Sequence, residues 1–320
     1  MACGTLPHML YAGVPHREAS AGRSFRTLPP WALGPVAALG WWLVGFFPSL
    51  LEDVLTDHPA QGWPVVYLLA SHSGILWMGA FWGGIVAGLL GRLARPGRRR
   101  TAVAATGAGV ASAMALTLLQ VGLFIAGQPI PFGADRVIAG LGLLTVVAGC
   151  VGWALGSAWV FGRIGLGVGL AALATAVTGW LSGLQLALLN ATQADHLLAL
   201  DWRWSQWAGV VVLAAALVVI GARPAARLAW WAVVLVGAWF VEPASTAAVH
   251  LEIYLRGAVP GMPGFPETLP EALAAAAQTF WQVAQPGHQQ LVAPWIAAVV
   301  VAALVCAVRP RLSAGRATTT

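Results

Sequence analysis

Two ionisable side chains, His72 and Glu242, stand inside long apolar runs of this sequence. An imidazole and a carboxylate in an apolar medium can take up, pass on and release protons. Inside a membrane span such groups mark ion paths, proton relays or substrate sites. Glu242 is followed by proline. From Leu228 to Val241 there are fourteen residues, about 21 Å of helix, against the roughly 30 Å of a hydrocarbon core. The spacing therefore predicts a helix that continues through Pro243 toward Leu251 and keeps Glu242 within the apolar layer. Pro243 has no N–H to give, so a carbonyl one turn earlier needs another donor. A carboxylate beside an interrupted helix recurs at ion and proton sites.

Neutral polar residues accompany the pair. Thr175, Thr178, Ser182 and Gln185 recur at helical spacing, with Asn190 just beyond, and Gln120 falls at a similar depth in another apolar run. Their ordinary work is hydrogen bonding between helices, at about 1 kcal/mol per contact. His72, Gln120, Gln185 and Glu242 nevertheless fall in the same half of their runs. With Ser182 they define a candidate cavity and proton-coupling site. Gly79 and Gly83 share the helical stripe of His72 and predict a close helix neighbour on that side.

The elements that carry these residues are spanning helices. Only 9% of the chain is charged, and 59% is hydrophobic. There is no lysine, and the arginines alternate with the acids along the chain. Fourteen of the seventeen arginines sit in the N-terminal tail, after the second apolar run, around 163 and 223–227, and in the C-terminal tail. Ten of the eleven acids occupy the intervening segments. Arginine marks the cytoplasmic side. The reading is an all-α, polytopic membrane bundle of about eight helices with both termini inside. The spans start near Trp31, Val65, Thr101, Val137, Ile164, Trp207, Leu228 and Val292. Residues 1–30 form a cytoplasmic tail, 31–308 the bundle, and 309–320 a second tail. The basic residues are dispersed over short inner loops, which argues against nucleic acid as a partner.

The outer segment 257–289 holds more than a loop. Thr268 and Glu271 form a capping box at the start of an Ala-rich helix that Pro286-Gly287 ends. Leu269, Leu273, Ala276, Phe280 and Val283 share a face, as expected of a helix lying on the outer interface. Trp281 and Trp295 are expected at head-group level. Gly84-x-x-x-Gly88, Gly152-x-x-x-Gly156 and Gly165-x-x-x-Gly169 predict close helix crossings. The pairs Trp41-Trp42 and Trp230-Trp231, each opening an outward span, raise the idea of a four-plus-four repeat.

Function remains a choice among classes. The leading reading is a permease or transport-related protein with an outward-facing polar cavity. The alternatives are a membrane-embedded enzyme acting on a lipid-linked or extracytoplasmic substrate, and a non-catalytic subunit of a membrane complex. Partners are the lipid bilayer, a small-molecule or lipid-linked substrate, or other subunits. His72, His250 and His288 are weak metal or haem candidates, and no cofactor is assigned. Walker, Gly-x-Ser-x-Gly, His-Glu-x-x-His and Cys-x-x-Cys patterns are missing from the sequence.

Overall fold

The computed structural model describes residues 27–55, 73–94, 97–126, 134–192, 203–255, 266, 268–286 and 292–317. These residues form nine α-helices: α1 (Pro30–Leu55), α2 (Ser73–Leu90), α3 (Arg99–Ala126), α4 (Ala134–Ser157), α5 (Arg163–Thr192), α6 (Arg203–Ile220), α7 (Arg227–Leu255), α8 (Leu269–Ala284) and α9 (Val292–Ala317). No β-strand occurs among the described residues. Six helices are long and apolar enough to cross a membrane, and those of Trp207–Ile220 and Val292–Val308 are apolar but shorter. Leu116, Leu123 and Val211 stand about two-thirds exposed on the outside of the bundle. In water that surface would be costly; against acyl chains it is not. The chain is an integral membrane protein of several passes.

The helices overrun the predicted spans. α1 takes in Glu52 and Asp53, α5 reaches Thr192, and α6 starts at Arg203. α9 runs to Ala317, although the sequence predicts a tail from 309. The helix continues although the segment beyond Val308 holds Pro310 and Gly315, both poor helix formers, beside Arg, Leu and Ala, which are good ones. α7 continues through Pro243, as its spacing predicts. His72 and His288 lie outside the described residues.

Eight helices pack as two quartets. One buried core joins Ala37, Trp41 and Phe46 of α1 with residues of α2, α3 and α4. A second joins Ala174 of α5 with Leu217 of α6, Trp231 of α7 and Ala298 of α9. The pairing order repeats between them. α1 packs on α2 and α3, and α2 on α4; α5 packs on α6 and α7, and α6 on α9. This correspondence pairs α1 with α5 and α3 with α7. The two Trp pairs on α1 and α7 are therefore not equivalent, and the repeat lies in packing order, which those pairs do not report.

Glycine sets the tightest crossings, as the sequence predicts. A Cβ on Gly84 would lie 2.5 Å from the Gly149 carbonyl oxygen, and one on Gly88 2.6 Å from that of Trp153. From the other side, Cβ atoms on Gly152 and Gly156 would strike the carbonyl oxygens of Phe81 and Ile85. Gly79 and Gly83 give α1 the same access, against Gly45 and Trp41. Gly169 packs near the Leu155 carbonyl oxygen at the end of α4. Tryptophan N–H groups bind across these crossings. Trp41 Nε1 donates to the Ala80 carbonyl at 3.1 Å, Trp159 Nε1 to Gly88 at 3.0 Å, and Trp153 Nε1 to Thr106 Oγ1 at 3.2 Å.

One end of the bundle is rich in arginine. There Leu28 N donates to the Leu93 carbonyl at 2.8 Å and ties the start of α1 to the end of α2. Arg99 Nη1 donates to the Val160 carbonyl at 3.3 Å, and Arg227 Nη1 to that of Ile220 at 3.2 Å. Both guanidinium groups sit at the carbonyl-bearing ends of neighbouring helices, where positive charge is favoured.

The Gly152 crossing yields a direct test. Gly152→Ala is expected to cost about 2 kcal/mol, because the methyl meets backbone that has no room to retreat. Gly122→Ala and Gly237→Ala, where an added Cβ has nothing within 4 Å, are expected to leave stability unchanged or slightly raised. Thermal unfolding in detergent, followed by tryptophan emission, reads the difference.

Candidate functional site

The polar stripe of α5 meets α7 inside the second quartet, and the two leave a cavity of about 350 Å³ between them. Thr175, Thr178 and Ser182 line it from α5. Glu242, Ser245 and Thr246 line it from α7. Met78 and Trp82 of α2 close one side, Gly209 and Leu213 of α6 another, and Pro294 and Trp295 of α9 a third. Thr178 and Glu242 each lie fifteen residues beyond the arginine that opens its helix, Arg163 and Arg227. At about 1.5 Å per residue both stand roughly 22 Å from the arginine-rich end. The cavity is thus a chamber in an apolar bundle with hydroxyl groups and a carboxyl group on its α5 and α7 sides.

Three of its five hydroxyl groups are committed as donors to backbone carbonyls. Thr175 Oγ1 donates to the Ala172 carbonyl at 2.8 Å, and Thr178 Oγ1 to that of Ala174 at 3.2 Å. Ser245 Oγ donates to the Glu242 carbonyl at 2.8 Å. A hydroxyl has one proton and two lone pairs. Each of these three therefore faces the chamber as an acceptor. Ser182 Oγ pairs with Ser205 Oγ of α6 at 3.0 Å, and Ser205 is fully buried. The Glu242 carboxylate adds further acceptor oxygens. The chamber is therefore rich in acceptors, and the group it receives best brings hydrogen-bond donors.

Two glycines make the space. A Cβ on Gly209 would collide with Thr178 Oγ1, and one on Gly179 with the indole of Trp82. Gly209 belongs to no Gly-x-x-x-Gly pair, whereas Gly179 forms one with Gly183. They act by admitting a side chain from the next helix.

Of the residues singled out from sequence, the fold brings Glu242 and Ser182 together, with Thr175 and Thr178. Gln185 sits one turn beyond Ser182 on α5 and does not line the chamber. Gln120 is elsewhere: it is on the exposed face of α3, in the other quartet. Equal depth in two spans does not bring residues together when the helices belong to different quartets. His250 stands two turns beyond Glu242 on α7, outside the lining, and its Nδ1 donates to the Thr246 carbonyl at 2.9 Å. Among the described residues no three His, Cys, Asp or Glu side chains gather as a metal site. Sequence reasoning missed Ser245 and Thr246, although three- and four-residue spacing from Glu242 on a continuous helix would have found them. It missed Met78 and Trp82 for lack of any signal, since their role depends on which helix lies next to α5.

Helix α8 departs in part from its sequence reading. Thr268 Oγ1 accepts from Glu271 N at 3.5 Å, so the predicted cap forms. The buried face of α8 is Ala272, Ala276 and Val283, while Leu273 is half exposed. α8 packs along α7, and small alanines allow a closer approach than the leucine face does. Trp239 Nε1 donates to the Ala284 carbonyl at 3.0 Å, and Phe240 stacks on Phe280 with centroids 5.7 Å apart. Trp295 makes an edge contact with Trp239 at 5.3 Å. It is part of the chamber wall. Trp281 is exposed.

Comparison with known proteins finds no matching family model, no matching curated protein and no matching solved structure.

The Trp239 bond fixes α8 against the helix that carries Glu242. Trp239→Phe keeps the ring and removes the donor. It is expected to cost about 1 kcal/mol and to raise amide hydrogen exchange in α8 roughly fivefold. Exchange read by mass spectrometry is expected to stay unchanged in α2 and α4.

Proposed function

We propose that this protein is a membrane permease whose acceptor-rich chamber binds its solute and whose Glu242 couples that binding to a proton. One observation carries the reading. A carboxylate lies among hydroxyl oxygens from two helices, about 22 Å from the arginine-rich end by helical rise, in a chamber of about 350 Å³. That volume suits a small molecule or the head of a larger one. A carboxylate whose surroundings change when a solute enters changes its proton affinity, and this links the two binding events.

In this reading all eight bundle helices cross the membrane. The helices of Trp207–Ile220 and Val292–Val308 are the short spans, and their loss of length thins the wall on the Glu242 side. Both termini are cytoplasmic, as the arginine distribution requires. The chamber then lies toward the outer face, with α8 beside its rim. His72 belongs to the same proposal as a second titrating group, with Gln185 as a neutral neighbour.

Thiol labelling tests access and sidedness. In a chain with Cys3, Cys150 and Cys306 replaced by serine, Ser245→Cys and Thr178→Cys are expected to react with a membrane-impermeant maleimide added outside intact cells. Labelling only after the cytoplasmic face is opened would overturn the outward-facing chamber. Glu242→Gln tests the proton. The carboxylic C=O stretch that grows on acidification in infrared difference spectra is expected to lose a component. Proton-driven solute uptake into vesicles is expected to fall to the level of empty vesicles, with the melting temperature held. An unchanged spectrum and unchanged uptake would remove Glu242 from the mechanism.

A further inference from the structure

A second hollow adjoins the chamber. It is a groove of about 470 Å³ between α7 and α9, lined by Leu235, Val236 and Trp239 on one side and Ile296, Val299 and Val300 on the other. Trp295 lines both hollows, so they adjoin at its indole. The groove exists because α7 and α9 hardly approach each other at the backbone, whereas α7 packs closely on α8 and α9 on α6. Tryptophan edges, Trp239 against Trp295, bridge the gap where backbone does not. Val236, Ile296 and Val300 on its rim are about half exposed, on the lipid-facing side of the bundle.

From these two hollows we infer that the ligand is a single-chain cationic amphiphile that enters sideways from the bilayer. Its apolar chain lies in the groove between α7 and α9, and its ammonium head passes Trp295 into the chamber. The inference rests on the permease reading for the role of the chamber and adds the chemical class of its ligand. The head follows from proton bookkeeping. Thr175, Thr178 and Ser245 spend their protons on backbone carbonyls and Glu242 supplies a carboxylate, so the group that fits donates hydrogen bonds and carries positive charge. The chain follows from the groove, which offers no polar partner and faces lipid. The indole between them suits the junction, because its face attracts a passing cation and its ring packs on an acyl chain.

The test uses the full chain in phosphatidylcholine nanodiscs and two photoprobes, a dodecylamine and a dodecyl sulfate, each with a diazirine in mid-chain. Adducts are mapped by peptide mass spectrometry. The amine is expected to label Val236, Ile296, Val299 and Val300 well above Leu116 and Val211, which are at least as exposed. Val299→Phe and Val300→Phe, made separately so that one misfolded variant does not decide the matter, are each expected to cut that labelling about tenfold. That is the effect of losing roughly two buried methylenes. Glu242→Gln is expected to erase the preference for amine over sulfate. Labelling spread evenly over lipid-facing residues would overturn the lateral site and leave the chamber to its own thiol test. Labelling confined to the groove but equal for both probes, with or without Glu242, would overturn the amphiphile and count against the chamber as its head site.

Discussion

The bundle depends on how closely backbone can approach α2. One stripe of this helix, Gly79 and Gly83, admits α1, and another, Gly84 and Gly88, admits α4. In a membrane the apolar effect does not distinguish a helix from a lipid tail, so close packing and hydrogen bonds must hold helices together. Both are present on α2. Its glycines bring neighbouring carbonyls within reach, and the indoles of Trp41 and Trp159 donate to carbonyls on α2 itself. A third side of α2 carries Met78 and Trp82 into the chamber wall. The helix that fixes the first quartet therefore also supplies a fixed face to the second.

The two quartets share a pairing order but differ in closure. In the first, Gly109 of α3 meets Gly34 of α1 so closely that no Cβ would fit. In the second, the corresponding helices α5 and α7 meet through Thr175, Thr178, Ser182 and Ser245, and space remains between them. Side chains larger than hydrogen hold the helices apart, and their hydroxyls make the gap polar. α7 is the least buried of the six long spans. Its firmest partner is α8, which belongs to neither quartet. A helix packed this way resists tilting less than α2 does, and conformational freedom of this kind is what alternating exposure of a site requires.

Much of this was legible before any coordinates. The helical class, the helix through Pro243, the cap at Thr268 and the glycine crossings follow from hydropathy, spacing and small-residue pairs, all of which act within one helix or on one face. Glu242 and Ser182 were legible as intramembrane polar groups. Gln120 was misplaced because depth is a one-dimensional coordinate and quartet membership is not. The place of Trp295 in the chamber wall was not legible, because a tryptophan's sequence context does not say which helices its ring will touch. The face of α8 was read correctly at Ala276, Phe280 and Val283 and wrongly at Leu273, which is half exposed while Ala272 is buried against the bundle.

One turn of α7 links all of these features. Trp239 binds α8 through its indole and touches Trp295 through its edge. Glu242, three residues on, lines the chamber, and Val236, three residues back, lines the groove. Pro243 removes the amide that would bind the Trp239 carbonyl, so the helix is weakest where these contacts converge. Kinks in long helices arise at such positions. A bend here moves the carboxylate, the tryptophan edge and the groove wall together, because they are carried by adjoining turns of one helix. Such a bend would reshape the polar and the apolar hollow together, since both are walled by this stretch of α7 and by Trp295.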